Sequence, residues 1–452
     1  MSRESDRRSA FSLHESAVLD ERYYEAVHPS GLRILVCPKK MTTAYAAIGV
    51  GYGSIHREAD EPSGLAHFLE HKMFERRDGG DWDSRFNEIG SDVNAYTTYD
   101  RTAYECSCTD RFREALSALL ELAGRLHVTK ASVEREKGII AEEIRMGLDD
   151  PWERLNAGMI RSLYAVHPIR EEICGTEEDV ASVTPRLLRR VYKKRYGFDR
   201  MVLCVSGDVT PEAVWDTVDG YLSSAGLTAR HRPKGGSLPV GDLEEPSGVY
   251  RARTEITMSG TEEDDQTPDP PAPKPPAPKP LFSIGIKDPH VPTDPHEVMR
   301  RDLCMSVLTD MLFSCSEDFY NDLFESGLVT AETSCGSWMG GGFSFCTFSG
   351  ESDDPDAVYA AFLSMTDRLH REGLSREAFD RCRRTQYADY VTGFDSTESI
   401  GTGLLNNALD GLGLYDVLTA SADVTYERVS ALFEEVFRPS QYALVVVHPA
   451  GI

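Results

Sequence analysis

This chain has no long apolar run: no stretch of its 452 residues approaches the roughly 18 consecutive apolar residues that a membrane-spanning helix needs. It is also short of cations, with 48 Lys and Arg against 74 Asp and Glu, a formal charge of −26. A surface of that sign repels nucleic-acid phosphates and acidic lipid headgroups. Nucleic-acid and membrane partners are therefore not expected, and neutral or basic peptides are favoured. The ten cysteines contain no C-x-x-C pair. Cys106 and Cys108 alternate on one face of a strand, where they would bridge poorly. That usage disfavours a thiolate metal site and fits reduced thiols in a cytoplasmic setting. Residues 1–8 lead into no apolar segment, so no secretory leader is expected there.

What remains is 40% apolar and 27% charged, the balance of a soluble globular protein too long for one core. The clearest break is an acidic run at 262–267, followed by eight prolines in the thirteen residues 268–280. Proline at that density forms an extended tether with no core of its own. The expected division is an N-terminal domain at 1–250, a linker or loop insertion at 251–280 and a C-terminal domain at 281–452. In the first half, apolar periodicity predicts strands at 31–37, 44–53 and 201–205 and a hairpin over 92–108. It also predicts helices at 111–126, 131–148, 152–164, 185–196 and 211–222. The second half repeats the plan in outline. Strands are expected at 282–286, 342–349 and 442–447, with helices at 297–313, 356–371, 376–391 and 426–436. The class is α+β, with two halves of similar design.

The most informative residues are His67-Phe68-Leu69-Glu70-His71, on a predicted helix with Pro62 near its start. Residues four apart project from one helix face, so His67 and His71 can share a metal ion. Glu70 lies beside them, placed to act on water at that ion. The order H-x-x-E-H inverts the zinc-protease order H-E-x-x-H. A second helical pattern at 134–146 carries Glu136 and Glu143, two turns apart on the stripe of Ile140. A catalytic zinc site needs three protein ligands and one open position. Two histidines from one helix and a glutamate from another would meet that need. The glycines at 49–53 and 340–342 lack the patterns of a dinucleotide or phosphate loop.

In these motifs the chain resembles the pitrilysin (insulinase) family of zinc metallopeptidases, whose ligand glutamate follows H-x-x-E-H by some seventy residues. Here seventy-one residues separate His71 from Glu143. The resemblance implies His67, His71 and Glu143 as Zn2+ ligands, Glu70 as general base and Glu136 as the carboxylate that orients the site. Glu142 is the rival to Glu143, and the spacing from Glu136 favours Glu143. Residues 94–104 look like the family strand whose open edge pairs with a peptide substrate, with Asn94 and Ala95 making the contacts. The implied fold is two duplicated pitrilysin/mitochondrial-processing-peptidase-like domains, each an antiparallel-rich sheet packed with helices. The wording of 70–75 resembles the short-chain bacterial YmfH-like branch.

One departure stands out. Phe324 and Thr330 occupy the places of an arginine and a tyrosine that many members use to hold the substrate carbonyl and the oxyanion. Neither residue supplies that electrostatic help. The expectation is therefore a metalloendopeptidase acting on peptides with a related metal-free partner subunit, as a heterodimer, or as a homodimer. The alternative is a non-catalytic structural or assembly subunit.

Overall fold

The computed structural model describes residues 11–227, 231–234, 236, 238, 240, 243–258 and 279–450. The acidic run at 262–267 and the proline segment up to 278 lie outside the described residues. The chain forms two compact units.

The first unit comprises Met1–Ile144, Glu171–Gly241 and Tyr387–Thr419. Its strands are β1 (Ser12–Ser16), β2 (Glu21–Val27), β3 (Arg33–Pro38), β4 (Ala44–Val50), β5 (Ser91–Thr97), β6 (Thr102–Cys108) and β7 (Met201–Gly207). They make one sheet in the order β1-β2-β3-β7-β4-β6-β5, antiparallel except where β3 runs parallel to β7. Strands β3, β4 and β7 are buried on both faces, which is why they read as apolar runs and not as alternation. On one face Ile34, Val36, Ala46, Ile48, Leu203 and Val205 pack against helices α1 (Leu65–Met73), α2 (Trp82–Ile89) and α3 (Phe112–Gly124). The other face, with Leu35, Tyr45, Ala47 and Val202, is closed by Ile400, Leu404, Leu405 and Ala408 of the helix Thr397–Leu409.

The second unit comprises Arg145–Arg170, Asp242–Gln386 and Ala420–Ile452. The long helix α4 (Lys130–Asp149) belongs to the first unit up to Ile144 and is followed by α5 (Pro151–Leu163), whose N-cap Asp150 accepts the Trp152 and Glu153 backbone N–H groups. The strands are β8 (Arg253–Thr257), β9 (Leu281–Lys287), β10 (Thr333–Gly340), β11 (Phe343–Glu351) and β12 (Tyr442–His448), ordered β10-β11-β9-β12-β8. Phe282, Ile284, Phe348, Leu444 and Val446 form a core with the helices Pro295–Phe313, Pro355–Glu372 and Tyr426–Val436. The α5 helix packs on β9 and β12. Just past its end, the Tyr164 hydroxyl donates to the Ser344 carbonyl at 2.9 Å and accepts its N–H at 3.0 Å.

Each unit thus takes one helix from the opposite half of the sequence: α5 belongs to the second unit and Thr397–Leu409 to the first. The compact units differ in this respect from the continuous segments 1–250 and 281–452 expected from the sequence, because helix packing follows apolar faces and not chain order. The helix Thr397–Leu409 was not expected at all, since Gly401 and Gly403 lower helix propensity. Gly401 is needed for close approach: a Cβ there would sit 2.3 Å from the Tyr45 ring.

Candidate metal centre

The H-x-x-E-H segment lies on α1, which buries Leu65, Phe68, Leu69 and Met73 along one stripe. Gly64 caps the helix at φ +75°, and a Cβ there would lie 2.2 Å from the Cys174 carbonyl oxygen. The loop before α1 is thereby set directly against the turn at Cys174–Gly175. Two helical turns of α4 present Glu136 and Glu143, with Ile140 fully buried between them.

Folding brings the expected ligands together. The Nε2 atoms of His67 and His71 are 3.2 Å apart. Glu143 places one carboxylate oxygen 3.7 Å from His67 Nε2 and the other 3.6 Å from His71 Nε2. Donor atoms at about 2.0–2.2 Å around a tetrahedral zinc are about 3.3–3.6 Å apart. The three side chains therefore fit a zinc ion with small adjustments. The Glu143 carboxylate faces both imidazoles from an exposed position on α4.

The proton positions suit the same reading. Burial alone would push Glu136 up, but its hydrogen bond with His71 and the Lys72 ammonium hold it below the usual carboxylate range. A 3.0 Å hydrogen bond joins His71 Nδ1 to Glu136 Oε1, and in the tautomer with the proton on Nδ1 the Nε2 lone pair is left for a metal. For His71, burial works downward, and the Glu136 hydrogen bond and surrounding carboxylates outweigh it, so its pKa is raised. Burial, reinforced by His71, pushes His67 down to about 4, so it is a neutral imidazole near pH 7. His67 Nδ1 is buried and has no hydrogen-bond partner among the described residues.

Glu70 points to the strand side of the site, where Oε2 accepts the Thr97 hydroxyl at 2.5 Å. Burial raises the Glu70 pKa, and the Thr97 bond and His71 offset this only in part. Thr97 ends β5, which is an edge strand paired with β6 alone among the described strands. Asn94 is exposed on the same strand, its amide donating to Glu105 at 3.3 Å, and Ala95 is half-buried beside it. The sequence-predicted residues thus share one region of the first unit. Phe324, in the second unit, is 47% exposed and stacks on Tyr320 at 5.7 Å, and the Thr330 hydroxyl lies 3.4 Å from Glu351.

Three neighbours escaped the sequence reading. Thr97 had no distinguishing pattern, because its partner is 27 positions away. The half-buried Cys174 brings its sulfur within 4.8 Å of donor atoms on His67 and Glu143, again a contact made only by folding. Lys72 did leave a signal: a cation seven residues after Leu65 falls on the apolar stripe of α1.

Fold and site together define a two-domain protein of the M16 peptidase type. The family profile described as Insulinase (Peptidase family M16) matches residues 34–177, and that described as Peptidase M16 inactive domain matches 182–386. YmfH of Bacillus subtilis, described as an uncharacterized zinc protease, is 30% identical over 441 residues, covering 95% of this chain and 97% of that protein. YmxG of the same organism, also described as an uncharacterized zinc protease, is 30% identical over 45% of this chain and 52% of its own length. The crystal structure of an M16-like protein from Alicyclobacillus acidocaldarius superposes with a TM-score of 0.84 at 26% identity, covering 97% of this chain and 99% of that one. A Helicobacter pylori protease shares the fold, with a TM-score of 0.78 at 17% identity over 95% of this chain and all of that one. The chain belongs to peptidase family M16, the insulinase family, and carries its two-domain fold.

Proposed function

We propose that this chain is a zinc-dependent metalloendopeptidase acting on peptides or small unfolded proteins. The observation that carries the reading is the convergence of His67, His71 and Glu143 donor atoms with Glu70 beside them. Bound zinc would act as a Lewis acid and lower the pKa of water at the site toward neutrality. Glu70 handles the proton: its carboxylate takes one from the attacking water and returns it to the leaving amine. Its burial-raised affinity for protons suits both halves of that exchange. Glu136 keeps His71 in the tautomer a metal requires. The open edge of β5, at Asn94 and Ala95, receives the peptide main chain by strand addition, so the substrate sequence is read weakly.

The reading extends to assembly. Phe324 and Thr330 supply neither a cation nor a phenol to a developing oxyanion, and a related metal-free subunit would provide them. The ten free cysteines favour a reducing, cytoplasmic setting for that complex. The test is hydrolysis of a quenched fluorescent peptide library by the wild type and Glu70→Gln, alone and with any co-purifying subunit. Loss of cleavage in Glu70→Gln with zinc retained is expected. Near-normal turnover by that variant contradicts the mechanism. Zinc binding with no cleavage in any assembly would favour a non-catalytic subunit.

A further inference from the structure

We propose that Lys72 is a positioning residue for the metal ligand His71, acting through Glu136. The proposal rests on the zinc reading of the site. Lys72 follows His71 directly on α1, yet it is only 2% exposed. A fully buried ammonium is rare and costly unless it is paired, and an apolar residue would fill the stripe of α1 without that cost. The charge therefore needs a reason.

Its partners supply one. The ammonium donates to Glu75 Oε2 at 2.5 Å and to Glu136 Oε2 at 3.3 Å. The other Glu136 oxygen, Oε1, takes the His71 Nδ1 proton at 3.0 Å. Each oxygen of Glu136 thus has its own donor, and the two donors come from adjacent residues of one helix. A carboxylate held at one oxygen alone could rotate, or swing toward a cation as an extra ligand. Held at Oε2 by Lys72, it presents Oε1 to His71 and stays behind the imidazole. The relay runs from Lys72 through Glu136 to His71, and its output is the aim of His71 Nε2 at the point also faced by His67 and Glu143. The competing explanation is a structural tie, in which Lys72 serves mainly to satisfy Glu75.

The two are separated by zinc affinity, measured by competition with a chromophoric chelator on the full chain. Removal of an outer-shell partner typically weakens a metal site about 10- to 100-fold. Lys72→Met is expected to weaken zinc binding about tenfold or more, and to shift the ligand-field absorption of the cobalt-substituted protein. Added to Glu136→Gln, it is expected to weaken binding no further, because its effect passes through that carboxylate. Glu75→Gln is expected to keep wild-type affinity, and if Lys72→Met does not fold, Lys72→Gln is measured in its place with the same loss of about tenfold expected. Unchanged affinity in folded Lys72→Met, additive losses in the double variant, or a tenfold loss in Glu75→Gln would each overturn the proposal. The underlying reading fails separately: His71→Ala binding zinc as tightly as wild type would remove the site itself. Loss of zinc in His71→Ala with full affinity in Lys72→Met would remove only the positioning role.

Discussion

Leu405→Ala probes the helix that the second half of the chain contributes to the first unit. Leu405 is fully buried among Tyr45, Ala47, Val202 and Cys204. A Cβ built on Gly49 would lie 3.1 Å from both Leu405 methyl carbons, so this leucine fills the space that a glycine leaves on β4. Core Leu→Ala substitutions cost about 2–5 kcal/mol, more where the surroundings cannot collapse into the cavity. With no side chain at Gly49 to move in, the upper half of that range applies, about 4 kcal/mol. Native-state hydrogen exchange reads this locally, because the most protected amides of β4 and β7 open with the unit as a whole. Their opening free energy is expected to fall by about 3–5 kcal/mol, while β9 and β12 amides of the second unit hold their protection. A fall of less than about 0.5 kcal/mol in β4 and β7 would refute the reasoning, since that is the size of a surface substitution.

Further outcomes follow from the site and its supports. Glu70→Gln should retain zinc and lose about 10²–10⁴-fold in kcat/KM, as checked by metal analysis beside a peptide assay. Glu143→Gln should bind zinc at least tenfold more weakly in chelator competition, while Glu142→Gln should bind as wild type does. Thr97→Val removes the hydroxyl that holds Glu70 at 2.5 Å and should lower kcat/KM about tenfold with zinc content unchanged. His56 is buried and hydrogen-bonded as a neutral ring to Leu238 and Gly53, and burial pushes its pKa down to about 4. The unfolded chain takes up a proton near its ordinary pKa of about 6.5 that the folded chain refuses, so stability should fall as pH drops from about 6.5 to 4. The loss is about 3 kcal/mol at most, read by denaturant unfolding, and His56→Gln should flatten that part of the profile.

Much of the fold was legible because its central elements carry strong patterns. Strands β3, β4 and β7 are apolar on both faces, and α3 repeats Leu and Ala with helical spacing. Elements whose stability comes from elsewhere were silent. β1 is short and mostly exposed, β2 buries only Tyr23 and Ala26 among charged Glu21, Arg22 and Glu25, and the Thr397–Leu409 helix is held by the sheet it covers despite its glycines. The exchange of helices between units leaves no trace in periodicity, since a stripe of leucines does not say which sheet it meets. At the candidate metal centre the contrast is similar. His67, Glu70 and His71 are read from one helical turn, and Glu136 and Glu143 from two turns of another. Thr97 and Cys174 reach the site by tertiary contact alone. Lys72 was visible as a charge on an apolar stripe, and its meaning required the position of Glu136.

The most direct test of the account is zinc content per chain in the purified protein, measured beside His71→Ala. The account predicts about one zinc in the wild type and none in the variant, as three protein ligands drawn from two helices require. A folded wild type that takes up no zinc when the metal is supplied, or a variant that binds it equally well, would contradict it.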